Sequence, residues 1–147
     1  MKKRLTAMLT LLFCLSMCLP TLAAEASTTK TSQIIWFEDG SHAEIVTLVS
    51  LARSTKSGSK SYTYWNSDNL KVFTYTLNGE FFYDTKTSRA TSASASYSIY
   101  LSGWSLSSHD ETASGSTVYG DATFKGPGGA SEDVSLTLTC DKNGNIT

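Results

Sequence analysis

The chain has 147 residues, of which 43 are Ser or Thr and 16 are aromatic. Its formal charge at neutral pH is −1, and it becomes −3 when residues 1–26, with three basic residues and one acidic residue, are left out. Such a weakly acidic chain argues against nucleic acid as a partner, because nucleic acid binding needs a basic surface. The many hydroxyl residues suit the solvent side of β-strands better than a helical protein.

Residues 1–26 have the three parts of a secretory signal peptide. Residues 2–4 are basic, residues 5–19 form an uncharged apolar run, and small residues follow. The apolar run is shorter than the roughly 20 residues that a membrane-spanning helix needs. Cleavage after Ala23 or after Ala26 satisfies the small-x-small rule. The sequence therefore predicts a secreted, extracellular protein that has no membrane segment once the signal is removed.

The cysteine pattern fits this export prediction. Two of the three cysteines lie in the signal segment, which leaves Cys140 alone in the mature chain. An exported domain with one cysteine has no internal disulfide and depends on its hydrophobic core. We expect Cys140 to be a buried apolar thiol on the inward side of the last strand.

The first half of the mature chain predicts short strands separated by polar turns. Apolar and β-branched runs favour strands, whereas Ser, Gly, Asn and Asp clusters favour turns. In chain order, we expect a flexible leader at 27–32, strands at 33–37 and 44–52, a solvated loop at 53–60, a strand at 61–65 and a turn at 66–69.

Residues 70–85 predict a β-hairpin around Asn78-Gly79. Asn-Gly is the strongest short hairpin signal, because a type I′ turn needs φ > 0 at both central residues. The chain would reverse there, so Leu77 would pair with Glu80. One face of the hairpin would then carry Phe73, Tyr75, Leu77 and Phe82, and the other Val72, Thr74, Thr76, Phe81 and Tyr83.

The second half of the chain alternates most regularly between apolar and hydroxyl side chains, which is typical of half-buried strands. Each strand is followed by polar or glycine-rich residues. We expect strands at 92–101, 117–125 and 133–140, a short strand beginning at Gly103-Trp104, a polar loop at 107–116 and a glycine-rich loop at 126–129.

These seven or eight short strands, with no convincing helix, predict an all-β fold. Strands with one apolar and one hydroxyl face are what a core between two sheets requires. We expect residues 33–147 to form a single antiparallel β-sandwich. An immunoglobulin-like Greek key is the first choice for its topology and a small open barrel the second.

Three segments of the chain carry a family resemblance. They are TYTLNGEFFYD at 74–84, SYSIYLSGWSLSS at 96–108 and TLTCDKNGN at 137–145. Together they resemble small secreted β-rich proteins of unknown function from Gram-positive, clostridia-like bacteria. The resemblance implies an exported β-domain. It implies no catalytic or binding residues, because none are established for such proteins.

No catalytic, metal or cofactor site follows from the motifs. His42 lacks the Pro-Cys-x-x-Cys that a zinc deaminase would add, and His109 lies beside two acidic residues without a second ligand group. No Gly-x-Ser-x-Gly elbow is present. The terminal Asp141–Asn145 segment imitates the opening of a calcium loop but lacks the glycine at its sixth position. The sequence predicts a non-enzymatic protein without cofactors.

Aromatic side chains are the remaining candidates for ligand contact. A sandwich that presents flat rings on one sheet can stack on sugars, as carbohydrate-binding modules do, although this is an analogy of fold. We expect Trp65, Phe81 and Tyr83 to contact a ligand, which would be an extracellular glycan, the cell wall or a protein. The alternatives are a small secreted hydrolase with a site assembled across strands, or a structural protein of the envelope or coat.

Overall fold

The computed structural model describes residues 28–51 and 54–147. The predicted signal peptide at 1–26 and the first residue of the predicted leader lie outside these ranges. Within them there is no helix long and apolar enough to cross a membrane.

In the part of the chain that the structure describes, eight β-strands form two antiparallel sheets, as expected for an all-β chain. A short 3₁₀ turn, Pro127–Gly129, joins the last two strands. The strands are β1 (Thr28–Trp36), β2 (His42–Leu51), β3 (Thr55–Trp65), β4 (Lys71–Tyr83), β5 (Ser88–Ile99), β6 (Ser105–Ser114), β7 (Thr117–Lys125) and β8 (Ser131–Thr139).

The strand order is β1-β2-β3-β4-β5 in one sheet and β6-β7-β8 in the other. Every hydrogen-bonded neighbour is therefore also the next strand along the chain, so each sheet is a meander. A Greek key needs a neighbour from outside this sequential order, and the described strands form none. The predicted immunoglobulin-like topology is thus not confirmed.

The core lies where β6, β7 and β8 pack on β3, β4 and β5. Alternate residues of each strand point into it, and Phe73 of β4 stacks on Phe124 of β7 with ring centroids 3.8 Å apart. All nine residues of β1 are exposed, because the three-stranded sheet does not extend over that edge. The core residues are Ala43, Tyr62, Val72, Phe73, Tyr75, Leu77, Phe81, Val118, Ala122, Phe124, Val134, Leu136, Leu138 and Cys140.

The predicted hairpin at Asn78-Gly79 is wrong. β4 runs through both residues without reversing, and neither has a positive φ. The alternation of a continuous strand therefore places Phe81 on the same face as Leu77, where it is fully buried. Gly79 is needed for space rather than for φ, since a Cβ atom there would lie 2.7 Å from Cγ2 of Val118.

Three stretches predicted as loop or leader belong to strands. They are residues 28–32 in β1, residues 55–60 in β3 and residues 107–114 in β6. The start of β3 lacks an apolar stripe because its core-side positions include Lys56 and Lys60. Their ammonium groups donate to the carbonyl oxygens of Gly144 and Thr137 at the rim of the other sheet, which lets the side chains keep their charge out of the core.

The other predicted strands coincide with strands of the structure within a few residues, although Gly103 and Trp104, predicted to begin a strand, precede β6. β7 has the predicted bounds, and the predicted inward residues of β7 and β8 are buried. Cys140 is buried as expected. The turn at 66–69 also forms: the side-chain oxygen of Asn66 accepts backbone N–H groups from Asp68 and Leu70 at 3.1 and 2.9 Å.

Candidate functional site

The face of the five-stranded sheet that points away from the three-stranded sheet, here called the outer face, carries few charges and many hydroxyls. Across β3, β4 and β5 the pairing arranges twelve of its residues in four rows of three, and ten of them are Ser or Thr. Two cross-strand hydroxyl pairs are hydrogen-bonded, Ser61 with Thr76 at 2.8 Å and Thr63 with Thr74 at 3.0 Å. The rows are Thr63-Thr74-Ser98, Ser61-Thr76-Ser96, Ser59-Asn78-Ser94 and Ser57-Glu80-Ser92.

Three rings form a row at one end of the outer face. Trp36, His42 and Trp65 are directly opposite one another on β1, β2 and β3. The His42 ring lies 4.5 Å from the Trp36 ring and 4.7 Å from the Trp65 ring, and it is nearly parallel to the latter at 7°. The Trp36 indole is 66% exposed. We call these three residues the ring row.

The β1–β2 turn sets the first half of the ring row. Gly40 has φ +83°, and the Phe37 N–H donates to the Ser41 carbonyl at 2.9 Å. The Asp39 carboxylate accepts the Ser41 N–H at 3.0 Å and the Ser41 hydroxyl, and these bonds hold the pKa of Asp39 below its ordinary value. A tight, fixed turn keeps residue 36 opposite residue 42.

Tyr100 and Lys71 extend the ring row toward β5. The Lys71 ammonium lies 4.1 Å from the centre of the Tyr100 ring, within cation–π range. Lys71 and then Thr74 lower the pKa of Tyr100 by hydrogen bonding to its phenol oxygen. Since Thr74 belongs to the outer face, Tyr100 also borders it, with 54% of its surface exposed.

The central ring of the row carries an unsatisfied polar atom. Nδ1 of His42 is buried and has no hydrogen-bond partner among the described residues. Leaving a buried polar group unpaired costs about 1–3 kcal/mol, so an apolar ring would suit stability better here.

The outer face as a whole is nearly balanced in charge. Among the described residues its charged side chains are three basic ones, Lys30, Lys71 and Arg89, and two acidic ones, Glu44 and Glu80. The opposite surface of the molecule, on β6, β7 and β8, is acidic, with three aspartates at neighbouring positions. They are Asp110, Asp121 and Asp133.

A shallow depression of about 270 Å³ lies in the outer face at the end away from the ring row. Its lining includes Ser57, Ser59, Asn78, Glu80 and Ser92. The ring row and this depression are joined by the hydroxyl rows, so one continuous surface offers aromatic side chains, hydrogen-bonding groups and a shallow concavity.

The three predicted contact residues lie in three different environments. Trp65 lies in the ring row. Phe81 is a core residue, so its prediction as a ligand contact is wrong. Tyr83 is half-buried, packs against the core and has Lys56 over its ring at 5.3 Å. Trp36 and His42 were not predicted as contact residues, although the turn signal at Glu38–Gly40 lies between them and brings them opposite each other.

A second concavity, here called the end cleft, has a volume of about 420 Å³ and opens beside the β1–β2 turn. The rings of Tyr64 and Trp104 and the carboxylates of Asp39 and Glu132 line it. The Tyr62 hydroxyl donates to Glu132. Burial raises the pKa of Glu132 above its ordinary value, and nearby Asp133 and Asp39 add to this.

The remaining reactive groups are not arranged as a site. Burial raises the pKa of the Cys140 thiol. Glu111 accepts the Tyr75 hydroxyl at 2.9 Å and lies 2.8 Å from Nδ1 of His109. Within the described ranges no group of three or more His, Cys, Asp or Glu side chains could hold a metal ion.

Comparison with known proteins gives no relative for this arrangement. No family model matches the chain, and no significant match was found among curated proteins or solved structures.

Proposed function

We propose that this protein is a secreted, non-enzymatic module that binds extracellular carbohydrate through its outer face. The observation that carries the proposal is the ring row at the end of a hydroxyl-covered sheet: His42 stacks on Trp65, and the largely exposed indole of Trp36 is tilted against His42. The secreted location rests on the signal-peptide pattern of residues 1–26, and the resemblance to small exported β-rich proteins is consistent with it.

The chemistry of the outer face matches that of a sugar. A pyranose ring has an apolar face of C–H groups, which packs on flat aromatic rings, and hydroxyls at its edge, which need hydrogen-bond partners. The exposed indole of Trp36 supplies such a flat surface, and Trp65 supports it through the stacked ring of His42. Ser, Thr and Asn side chains both donate and accept hydrogen bonds, so they can meet hydroxyls in any orientation.

A protein partner fits the outer face less well. The centres of protein interfaces are apolar and well packed, whereas ten of the twelve central residues here are Ser or Thr. The cell wall, predicted as another partner, contains glycan strands and is therefore covered by the same chemistry.

The test is a pull-down of purified protein with insoluble polysaccharides and with isolated Gram-positive cell walls, the latter with and without protease treatment. Trp36→Ala removes the exposed indole from an edge strand, so the fold should survive. We expect a loss of affinity of about 30-fold, which corresponds to an interface hot spot of about 2 kcal/mol. Tyr119→Ala, which removes an exposed ring from the opposite sheet, is the matched control and should bind like wild type.

Binding that is unaffected by Trp36→Ala would remove the ring row from the proposal. Binding to cell walls that disappears after protease treatment would identify a protein as the partner instead. Intact-mass measurement of the secreted protein tests the location, with a first residue at Ala24 or Ser27 expected and a retained Met1 contradicting it.

The end cleft supports a hydrolase as the second candidate function. Asp39 and Glu132 line one ring-bordered cleft, and their pKa values move in opposite directions. Two carboxyl groups with separated pKa values are the usual pair in glycoside hydrolysis. The test is release of reducing sugar from any polysaccharide that the protein binds. Activity lost in Glu132→Gln while binding is kept would establish the hydrolase; no activity in wild type would reject it.

A further inference from the structure

The hydroxyl rows connect the ring row to the depression along the direction of the strands. On β3 the outer-face residues run from Trp65 through Thr63, Ser61 and Ser59 to Ser57. These eight steps at about 3.3 Å each span about 26 Å. The surface is therefore several sugar units long, which is more than stacking on one or two rings would need.

The far end of this surface carries unused hydrogen-bonding groups. Within residues 28–51 and 54–147, the structure shows no hydrogen bond from the side chains of Asn78 or Glu80, which line the depression. A ligand in the depression can therefore hydrogen-bond through its hydroxyls to the amide of Asn78 and to the carboxylate of Glu80.

The charge of the surface indicates what kind of polymer fits. The twelve central residues include no Lys or Arg and one carboxylate, Glu80. An anionic polysaccharide would need basic partners for its charges. An extended sheet face covered with hydroxyls, with an exposed indole at one end, suits a ribbon-like chain. That is the shape that β-1,4 linkage between equatorial positions gives to a glycan.

We propose that the outer face binds a neutral β-1,4-linked polysaccharide in extended form along β3 and β4, anchored on the ring row and reaching the depression at Asn78 and Glu80. This rests on the proposed carbohydrate binding and adds its substrate class and footprint. Affinity should then rise with chain length until the oligosaccharide covers both ends.

The experiment is calorimetric titration with β-1,4-linked oligomers of glucose and of N-acetylglucosamine, from the disaccharide to the hexasaccharide. For the series that binds, we expect the hexasaccharide to bind at least tenfold more tightly than the disaccharide. The variant Asn78→Ala/Glu80→Ala should lose this gain and still bind the disaccharide, while Trp36→Ala should weaken binding of every length.

A matched control is Thr112→Ala/Thr137→Ala, which changes two exposed strand positions on the opposite sheet and should leave the whole series unchanged. If Asn78→Ala/Glu80→Ala melts far below wild type, the single variant Asn78→Ser is used in its place, because it keeps a small polar side chain on the strand. Affinity that does not increase beyond the disaccharide, with Trp36 still required, overturns the extended footprint and leaves the proposed function intact. Tighter binding of polygalacturonate than of either neutral series overturns the neutral class.

Discussion

Residues 78 and 79 together offer a direct test of the structure. The hairpin expected from the sequence and the observed strand predict different effects of mutation at residue 78 and different causes of destabilisation at residue 79. In the structure a Cβ atom at residue 79 would lie 2.7 Å from Cγ2 of Val118 and 2.9 Å from Cε2 of Phe81. Contacts below 3.0 Å force the neighbours to move, and overpacking a core in this way costs about 1–3 kcal/mol. Gly79→Ala should therefore destabilise the domain by this amount.

The matched variant is Asn78→Thr. In a type I′ turn it would place a β-branched residue at φ > 0, at a cost of about 1–2 kcal/mol. In the observed strand the same side chain belongs to the outer face and is compatible with β geometry, so we expect a change within about 0.5 kcal/mol. Both variants should be measured by urea unfolding and by thermal melting, where 1 kcal/mol corresponds to about 4 °C for a domain of this size.

A double-mutant cycle identifies the cause of the Gly79→Ala effect. Val118→Ala alone leaves a small cavity and costs about 2 kcal/mol. It also removes the methyl group closest to the new Cβ atom. The loss of unfolding free energy in the double variant should therefore be smaller than the sum of the two single losses by at least about 0.5 kcal/mol. Additive effects, or Asn78→Thr as damaging as Gly79→Ala, would refute the packing argument and favour a turn.

Three further predictions concern ionisable groups. Cys140 should react slowly with a thiol reagent in the native state and rapidly in denaturant, because it is buried and its pKa is raised by burial; fast native labelling would contradict its place in the core. Burial and then a hydrogen bond to a carboxylate raise the pKa of both Tyr62 and Tyr75, so the folded state holds their protons when the unfolded state loses them. Unfolding free energy should consequently fall above about pH 10, and an unchanged denaturant midpoint between pH 9 and about pH 11 would argue against it. Asp141 accepts backbone N–H groups of the terminal turn, including that of Asn145 at 2.8 Å, and these bonds lower the pKa of Asp141. The stability that they contribute is present above the unfolded pKa of Asp141 and is lost as the pH falls through its folded pKa. Asp141→Asn should therefore speed amide exchange at Asn145 at neutral pH.

The strands that the sequence predicted well are those with one side in the core. β7 and β8 alternate apolar and polar residues because Val118, Phe124 and Leu136 point inward and their neighbours face solvent. Cys140 follows the same alternation to its buried place. A period of two is visible in a sequence when burial enforces it.

Other strands were missed because their inward positions are not apolar. Lys56, Gly58 and Lys60 occupy the core side of β3, and His109 and Glu111 that of β6. These segments are strands because their backbones pair with neighbours, and pairing with distant partners leaves no local trace in the sequence. For the same reason a strong local turn signal at residues 78 and 79 gives way to strand pairing on both sides of β4.

The candidate site depends on that same pairing. Trp36 and His42 are brought together by a turn that the sequence does signal, but His42 and Trp65 meet through the β2–β3 register, which no local motif specifies. An error of one residue in any register would have sent a ring to the other face, and the hairpin prediction made this kind of error when it assigned Phe81 to solvent. From the sequence, the hydroxyl side of the strands is recognisable only as the side that faces away from the core. It becomes a candidate ligand surface because the register of β1, β2 and β3 places the three rings beside the hydroxyl rows.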